Sequence, residues 1–311
     1  MNNMSEIKEQ PADYNQLGIE LVRALLKEKR AERRWRNLRF IAWFSLILLI
    51  AWTAYNANIV TPSALDGNYV ALIRLDGSIE PGNDFSSETV VPALKQAFSD
   101  DHAKGVILDI NSGGGTPVQS AIIHDAILTY KNKYHKKVII VGEDFLASGA
   151  YYVAVAGDQI YVNPNTLTGS VGVILKGFGF TELLNKLGIE RRVYMSGAAK
   201  DRLDPFLPQN KADIDKANQM LGEVQENFNN AVLAARRNKL HVDSATLFNG
   251  DFWSGTAALK LGLVDHLGNL LDVMDKEFKV SHYRDYTPSS SILSRVASTF
   301  GTSVAGFLKG L

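Results

Sequence analysis

The sequence predicts an α/β domain with parallel strands, set behind one membrane-spanning helix. Three patterns carry that expectation. From residue 69 onward, short apolar runs alternate with helical stretches, the pattern of strands joined by crossover helices. Near the N-terminus an uncharged apolar run follows a basic block. Two turns rich in Gly and Ser, at 111–117 and 147–149, lie where a strand meets a helix.

The 311 residues are 46% hydrophobic and 21% charged, enough for one sizeable globular domain plus extra segments. Lys and Arg total 33, as do Asp and Glu, so the formal net charge is zero. A nucleic-acid partner would ordinarily leave a basic surplus, and none is expected here. The chain has no cysteine, which removes disulfides, thiolate nucleophiles and Cys-based metal sites. No cofactor or metal is expected.

Residues 1–39 read as a cytoplasmic tail, helical over 16–35. Within it, 27-KEKRAERRWRNLR-39 carries seven Lys or Arg against two Glu. The stretch 40-FIAWFSLILLIAWTAY-55 has no charge, and the uncharged run extends to Leu65. Residues 40–60 supply the roughly 20 residues that a bilayer core needs, with Trp43 and Trp52 at candidate interface positions. The next basic residue is Arg74, so the positive-inside rule puts the N-terminus in the cytoplasm and the domain outside the membrane. A cleaved signal peptide is the competing reading, and the length of the basic region argues against it.

Residues 61–280 form the expected domain, after a linker that ends at Asp66-Gly67. Strands are expected at 69–75, 105–110, 138–142 and 159–164, with helices at 88–99, 117–133 and 148–156. A long helix covers 209–239 and a shorter one 254–261. Residues 281–311 read as a tail. Within it, Ile292, Val296, Phe300, Val304, Phe307 and Leu311 make one apolar helical face, suited to a neighbouring subunit or a membrane surface.

Three stretches are candidates for chemistry. The run 111-NSGGGTP-117 follows a strand and precedes a helix; its N–H groups can hold an anion, or it is a tight turn. Ser148 opens a helix, where a serine serves as nucleophile or as N-cap. Ser170 lies between glycines in 168-TGSVGVI-174, again a site or a turn. A nucleophilic serine needs a base. None of the six histidines has a persuasive setting; His124 and Asp125 are adjacent on a helix, so their side chains should diverge. A lysine works as base if its surroundings favour the neutral amine. Lys200, preceded by 196-SGAA-199, is one of several candidates.

The segments 111-NSGGG-115, 147-ASGAYYVAVAGDQIYVNPNTLTGSVGV-173, 194-YMSGAAKDRLDPF-206 and 249-NGDFWSGTAALKLGLVDHLG-268 occur in this order. Together they resemble the signal peptide peptidase A family, peptidase family S49, in its short single-repeat form. The resemblance implies a crotonase/ClpP-like α/β fold and a membrane-anchored serine endopeptidase with a Ser/Lys dyad. Its substrates would be remnant signal peptides or other membrane-derived peptides at the outer, periplasmic face of the bacterial cytoplasmic membrane. It implies Ser148 as nucleophile, Lys200 as general base and Ser170 as the residue that orients the lysine. It also implies an oxyanion hole from the N–H groups of Gly114 and Ser148, and a homo-oligomeric ring or dome. Two departures stand out: Gly113 replaces the usual proline, and Arg202 lies close to Lys200 in sequence, where its charge would favour the neutral amine if the two side chains approach. The competing readings are a protease for one specific membrane protein, a crotonase-like acyl-CoA enzyme and an inactive peptide-binding scaffold.

Overall fold

The computed structural model describes residues 14–59 and 69–288. The chain divides into two units, Met1–Ala64 and Leu65–Leu311.

In the first unit, helix α1 spans Tyr14–Ile59 without a break, joining the expected tail helix to the apolar run. Its apolar side chains from Phe40 to Ile50, and Trp52, are exposed. Among the described residues, no helix is long and apolar enough to cross a membrane. The described run covers about half of a ~20-residue span, and the rest of 40–60 carries side chains outside the described set.

The second unit begins with β1 (Tyr69–Asp76), α2 (Ser87–Ser99), β2 (Ala103–Ser112), α3 (Pro117–Tyr134) and β3 (Lys137–Ala147). Then come α4 (Gly149–Ala154), β4 (Gln159–Val162), β5 (Leu167–Gly169), α5 (Thr181–Leu187) and α6 (Lys211–Arg236). The remaining elements are α7 (Ser244–Leu247), β6 (Phe252–Ser254), α8 (Gly255–Leu261), β7 (His266–Leu267), α9 (Leu270–Val273), a π turn (Met274–Phe278) and β8 (His282–Asp285). The result is a mixed α/β unit built on one central sheet.

β1, β2 and β3 are apolar on both faces because helices or turns cover both, as interior parallel strands require. One face packs under α2, α3 and α4 through Ile73, Leu75, Val106, Leu108, Ile110 and Ile140. The other carries Val70, Leu72, Ile107, Ile139 and Val141 under Met274 and Phe278 of the π turn. α2 buries Val90, Ala93, Leu94, Ala97 and Phe98, the three- and four-residue steps of a one-faced helix. Arg236 anchors α6 below: its guanidinium pairs with Asp265 at 2.6 Å and donates to the Gly262 carbonyl at 2.7 Å.

The sheet order is β6-β5-β3-β2-β1-β8, and every pairing is parallel except β5 with β6. β3 changes partner along its length. Ile139–Gly142 pair with β4, and Phe145–Ala147 pair with β5. Between them the register against β2 shifts, so residues 143–145 form a bulge opposite Asn111. Asn111 accepts the Phe145 N–H at 3.2 Å, and Thr166 donates to the Glu143 carbonyl at 2.5 Å.

β3 therefore runs five residues past the strand end expected at 142. β5, β6, β7 and β8 are two to four residues long and escape a periodicity reading. β8 falls in the expected tail yet pairs with β1, because Asp100 holds it there. Asp100 accepts hydrogen bonds from Tyr69 at 2.7 Å and from Tyr286, and Arg284 lies 3.6 Å away. The apolar face at 292–311 lies outside the described residues.

Burial alone would raise the Asp100 carboxyl, but the hydroxyls of Tyr286 and Tyr69, the His102 N–H and Arg284 pull it down to about 2. Its contribution to stability is present above the unfolded value of about 3.9 and is lost as pH falls through the folded value. Asp100→Asn should cost about 1–2 kcal/mol at pH 7, with the difference shrinking between pH 4 and pH 2. Denaturant unfolding at several pH values reads this, and a difference that does not depend on pH would contradict it.

Candidate active site

Ser148 stands between β3 and α4 with φ 53° and ψ −125°. Non-glycine residues rarely take positive φ, and holding one there costs about 1–3 kcal/mol. Three attachments hold it. The Ser148 N–H donates to the Gly169 carbonyl at 2.8 Å, one step beyond the Ala147–Gly169 pair. Its carbonyl accepts the Tyr152 N–H at 3.0 Å. The fully buried Tyr151 fixes α4 by donating its hydroxyl to the Leu263 carbonyl at 2.7 Å. The Ser148 side chain does not cap α4. Of the two roles open to this serine, the structure thus leaves the cap unfilled.

The glycine run lies directly against this turn. Gly114 has φ +104°, and a methyl group on it would lie 2.7 Å from Gly149 N and 2.8 Å from Ser148 Cβ. A methyl group on Gly149 would lie 2.5 Å from Ser120 Oγ and 3.1 Å from Gly115 N. Only glycine allows two backbones to approach this closely. Ile79 holds the run from the other side: its N–H donates to the Gly114 carbonyl at 3.0 Å, and its carbonyl accepts the Thr116 N–H at 2.8 Å.

The two N–H groups expected to form the oxyanion hole are both engaged. Ser148 N–H serves the β5 contact, and Gly114 N–H donates to Ser112 Oγ at 3.1 Å. The N–H of Gly149, first residue of α4, has no intrahelical acceptor and lies against Gly114, while Gly115 N lies 3.1 Å from where a methyl group on Gly149 would stand. Sequence reasoning missed this pair, although Gly149 directly follows the serine that opens the helix.

A cleft of about 260 Å³ opens beside Ser148 and Gly149. Pro117, Val118, Ala121, Val173, Ile174 and Val224 make it apolar, and Tyr152 and Phe228 add aromatic wall, with ring centroids 5.0 Å apart. His124 packs edge-on against Tyr152 at 5.1 Å without lining the cleft. Its Nδ1 lies 2.8 Å from Asp125 Oδ1, so these two side chains meet rather than diverge; the exposed carboxylate folds back onto the buried ring.

Ser170 follows Gly169 and also has positive φ, 50°, with its N–H bonded to the Asp251 carbonyl at 2.7 Å. It leaves β5 next to where Ser148 leaves β3. Lys200 is not brought to this point. It is exposed, in a turn closed by its own N–H on the Gly197 carbonyl, and does not line the cleft. Arg202 lies 3.5 Å from Asp213 at the start of α6, so its charge is directed there.

The sequence profile described as peptidase family S49 matches residues 130–281. A protein of Brucella melitensis biotype 1 named Na(+)/H(+) antiporter NhaA is 42% identical over 214 residues, 67% of this chain and 29% of that protein. A putative signal peptide peptidase, SppA, of Enterococcus faecium is 31% identical over 203 residues, 65% of this chain and 58% of its own length. A putative protease of Synechocystis sp. is 32% identical over 203 residues, 64% of this chain and 69% of its own length. This chain thus spans under a third of the antiporter-named relative and a little over half of the Enterococcus protein.

The close approach sets a contrast between two neighbouring glycines. Gly114→Ala should lower stability by about 2 kcal/mol or more, from positive φ and backbone overlap. Gly113→Ala, which meets nothing within 4 Å, should stay within about 0.5 kcal/mol of wild type. Equal unfolding midpoints for the two variants would contradict the contact.

Proposed function

This chain belongs to peptidase family S49, and on that premise we propose that it is a serine endopeptidase with Ser148 as nucleophile and Lys200 as general base. One observation carries the reading: Ser148 is held at φ 53° against the glycine run, with its hydroxyl free of any capping role and an apolar cleft beside it. Such a turn presents a hydroxyl to a carbonyl in the way that nucleophile elbows do.

In this mechanism the substrate lies extended over the cleft with an apolar side chain inside it. Lys200, as the neutral amine, takes the Ser148 proton while Oγ attacks the scissile carbonyl. The oxyanion meets the N–H of Gly149 and an N–H of the glycine run, either Gly115 or Gly114 after it leaves Ser112 Oγ. Each good donor is worth about 3 kcal/mol in the transition state. The lysine ammonium returns its proton to the leaving amine, and the neutral lysine then activates water to release the acyl group. Ser170 orients the lysine.

Lys200 has to reach the cleft from an exposed position. The arm from Val171 to Asn210 exposes Ile174, Phe178, Leu187 and Tyr194, an apolar surface that suits a second copy of the chain. We therefore infer a homo-oligomer, a ring or dome, in which assembly buries the amine beside Ser170 and favours its neutral form. The finer fold assignment is crotonase/ClpP-like, supported by the parallel sheet and its branch at β3. The exposed apolar run of α1 and the basic block before it support a single-pass anchor at 40–60, with the catalytic unit on the outer face of the cytoplasmic membrane. Remnant signal peptides and other membrane-derived peptides fit an apolar cleft at that location.

Ser148→Ala and Lys200→Ala should each lower hydrolysis of an unfolded protein by about 10³-fold or more while remaining folded. If the lysine acts between copies, co-assembled Ser148→Ala and Lys200→Ala chains should regain part of the activity, because some sites then contain both residues. A fully active Lys200→Ala chain would remove the dyad.

A further inference from the structure

β6 enters the sheet beside β5 from a turn that is fixed on itself. The Asp251 N–H donates to Asn249 Oδ1 at 2.8 Å, and Asp251 Oδ1 accepts the Phe252 N–H at 2.9 Å. From there residues 250–253 meet residues 168–172 at three points. Gly250 packs on Gly172, where an added methyl group would lie 2.7 Å from Gly250 Cα. The Asp251 carbonyl accepts the Ser170 N–H at 2.7 Å. Trp253, opposite Thr168 in the register, rests the benzo edge of its indole on Gly169. A methyl group on Gly169 would lie 2.5 Å from Cε3 and 2.7 Å from Cζ3 of that ring.

Each residue contacted in this way belongs to the candidate site. Gly169 gives its carbonyl to the Ser148 N–H at 2.8 Å, Ser170 is the proposed partner of the lysine, and Gly172 lines the cleft. Gly169 has φ +91°, a conformation open to glycine, and glycine lacks a side chain to hold it there. The indole supplies that hold from outside. The next nearest atom on that side of Gly169 is the Asp251 carbonyl oxygen, 3.5 Å away. Trp253 is itself half-buried and packed against the main core.

We propose that Trp253 is a positioning residue, whose indole holds the Gly169 peptide in the orientation that bonds Ser148 on one side and presents Ser170 on the other. The indole does not line the cleft and acts through Gly169. The consequence for catalysis rests on the peptidase reading above, whereas the hold on the two N–H groups does not.

A packing role alone follows apolar volume, which Leu and Phe both supply at a half-buried position. A positioning role needs a flat ring against a glycine, which Phe supplies and Leu does not. Trp253→Phe and Trp253→Leu in the full chain therefore separate the two, with Trp253→Met in place of the second if it does not fold. Hydrogen exchange is read at peptides that carry the Ser148 and Ser170 N–H groups, with β1 as the internal control. Opening of those two bonds should rise about tenfold or more in Trp253→Leu and stay within about threefold of wild type in Trp253→Phe, with β1 unchanged in both. Peptide hydrolysis by Trp253→Leu should lose about 10²-fold in kcat with KM within about twofold, because a displaced nucleophile weakens the transition state rather than binding. Trp253→Phe should keep most of the rate. Equal exchange in the two variants, no rise in Trp253→Leu, or a rise shared by β1 overturns the proposal. So does a loss carried by KM alone, or full activity in Trp253→Leu. The exchange contrast in a wild type and variants that cleave nothing keeps the hold on Ser148 and removes the peptidase reading, and cleavage without the contrast does the reverse.

Discussion

The position of Ser148 depends on β3 exchanging one partner for another. Along one edge β3 follows β2, while along the other it leaves β4 and takes up β5. The bulge at 143–145 makes that exchange possible by adding chain where the strand must turn. Because of it, Ala147 lies opposite Gly169 and the Ser148 N–H finds the Gly169 carbonyl. The positive φ of Ser148 is then a consequence of geometry imposed from both sides: a strand bonded to β5 behind it and a helix anchored by Tyr151 ahead.

The glycine run depends on the same arrangement. It has to pass within van der Waals contact of the turn at Ser148, and Ile79 fixes it by a bond to each side of Gly115. The proposed nucleophile and the candidate oxyanion donors thus lie where the ends of β1, β2, β3 and β5 meet. The proposed base belongs to an exposed arm. In the proposed reading, the sheet holds its strained turn independently of the dyad, and contacts made by the arm complete the site.

The sequence was informative where burial is two-sided and long. β1, β2, α2 and α3 follow from apolar runs and helical stretches between them, while α6 is read from its long charged and amide-rich stretch. The exchange of partners in β3 was not legible, because Glu143 and Asp144 end the apolar run while the strand continues through hydrogen bonds that sequence does not display. β8 was hidden for a similar reason. Its residues are exposed, and Asp100, Tyr69 and Tyr286, far apart in sequence, attach it. At the site, Ser148 and the glycine run were legible as a strand-to-helix junction and a close approach. The choice between cap and nucleophile was not, since it depends on whether the hydroxyl meets a helix N–H. The engagement of the Ser148 and Gly114 N–H groups was likewise invisible, and it moves attention to Gly149 and Gly115.

The central claim, that Ser148 is an activated nucleophile, is tested most directly by covalent trapping. The full chain would be treated with a peptidyl fluorophosphonate carrying an apolar side chain, and the adduct mapped by mass spectrometry. The account predicts one adduct per chain, on Ser148, formed far more slowly when Lys200 is replaced. No adduct on a folded chain, or an adduct on Ser120 or Ser170 in its place, would contradict it.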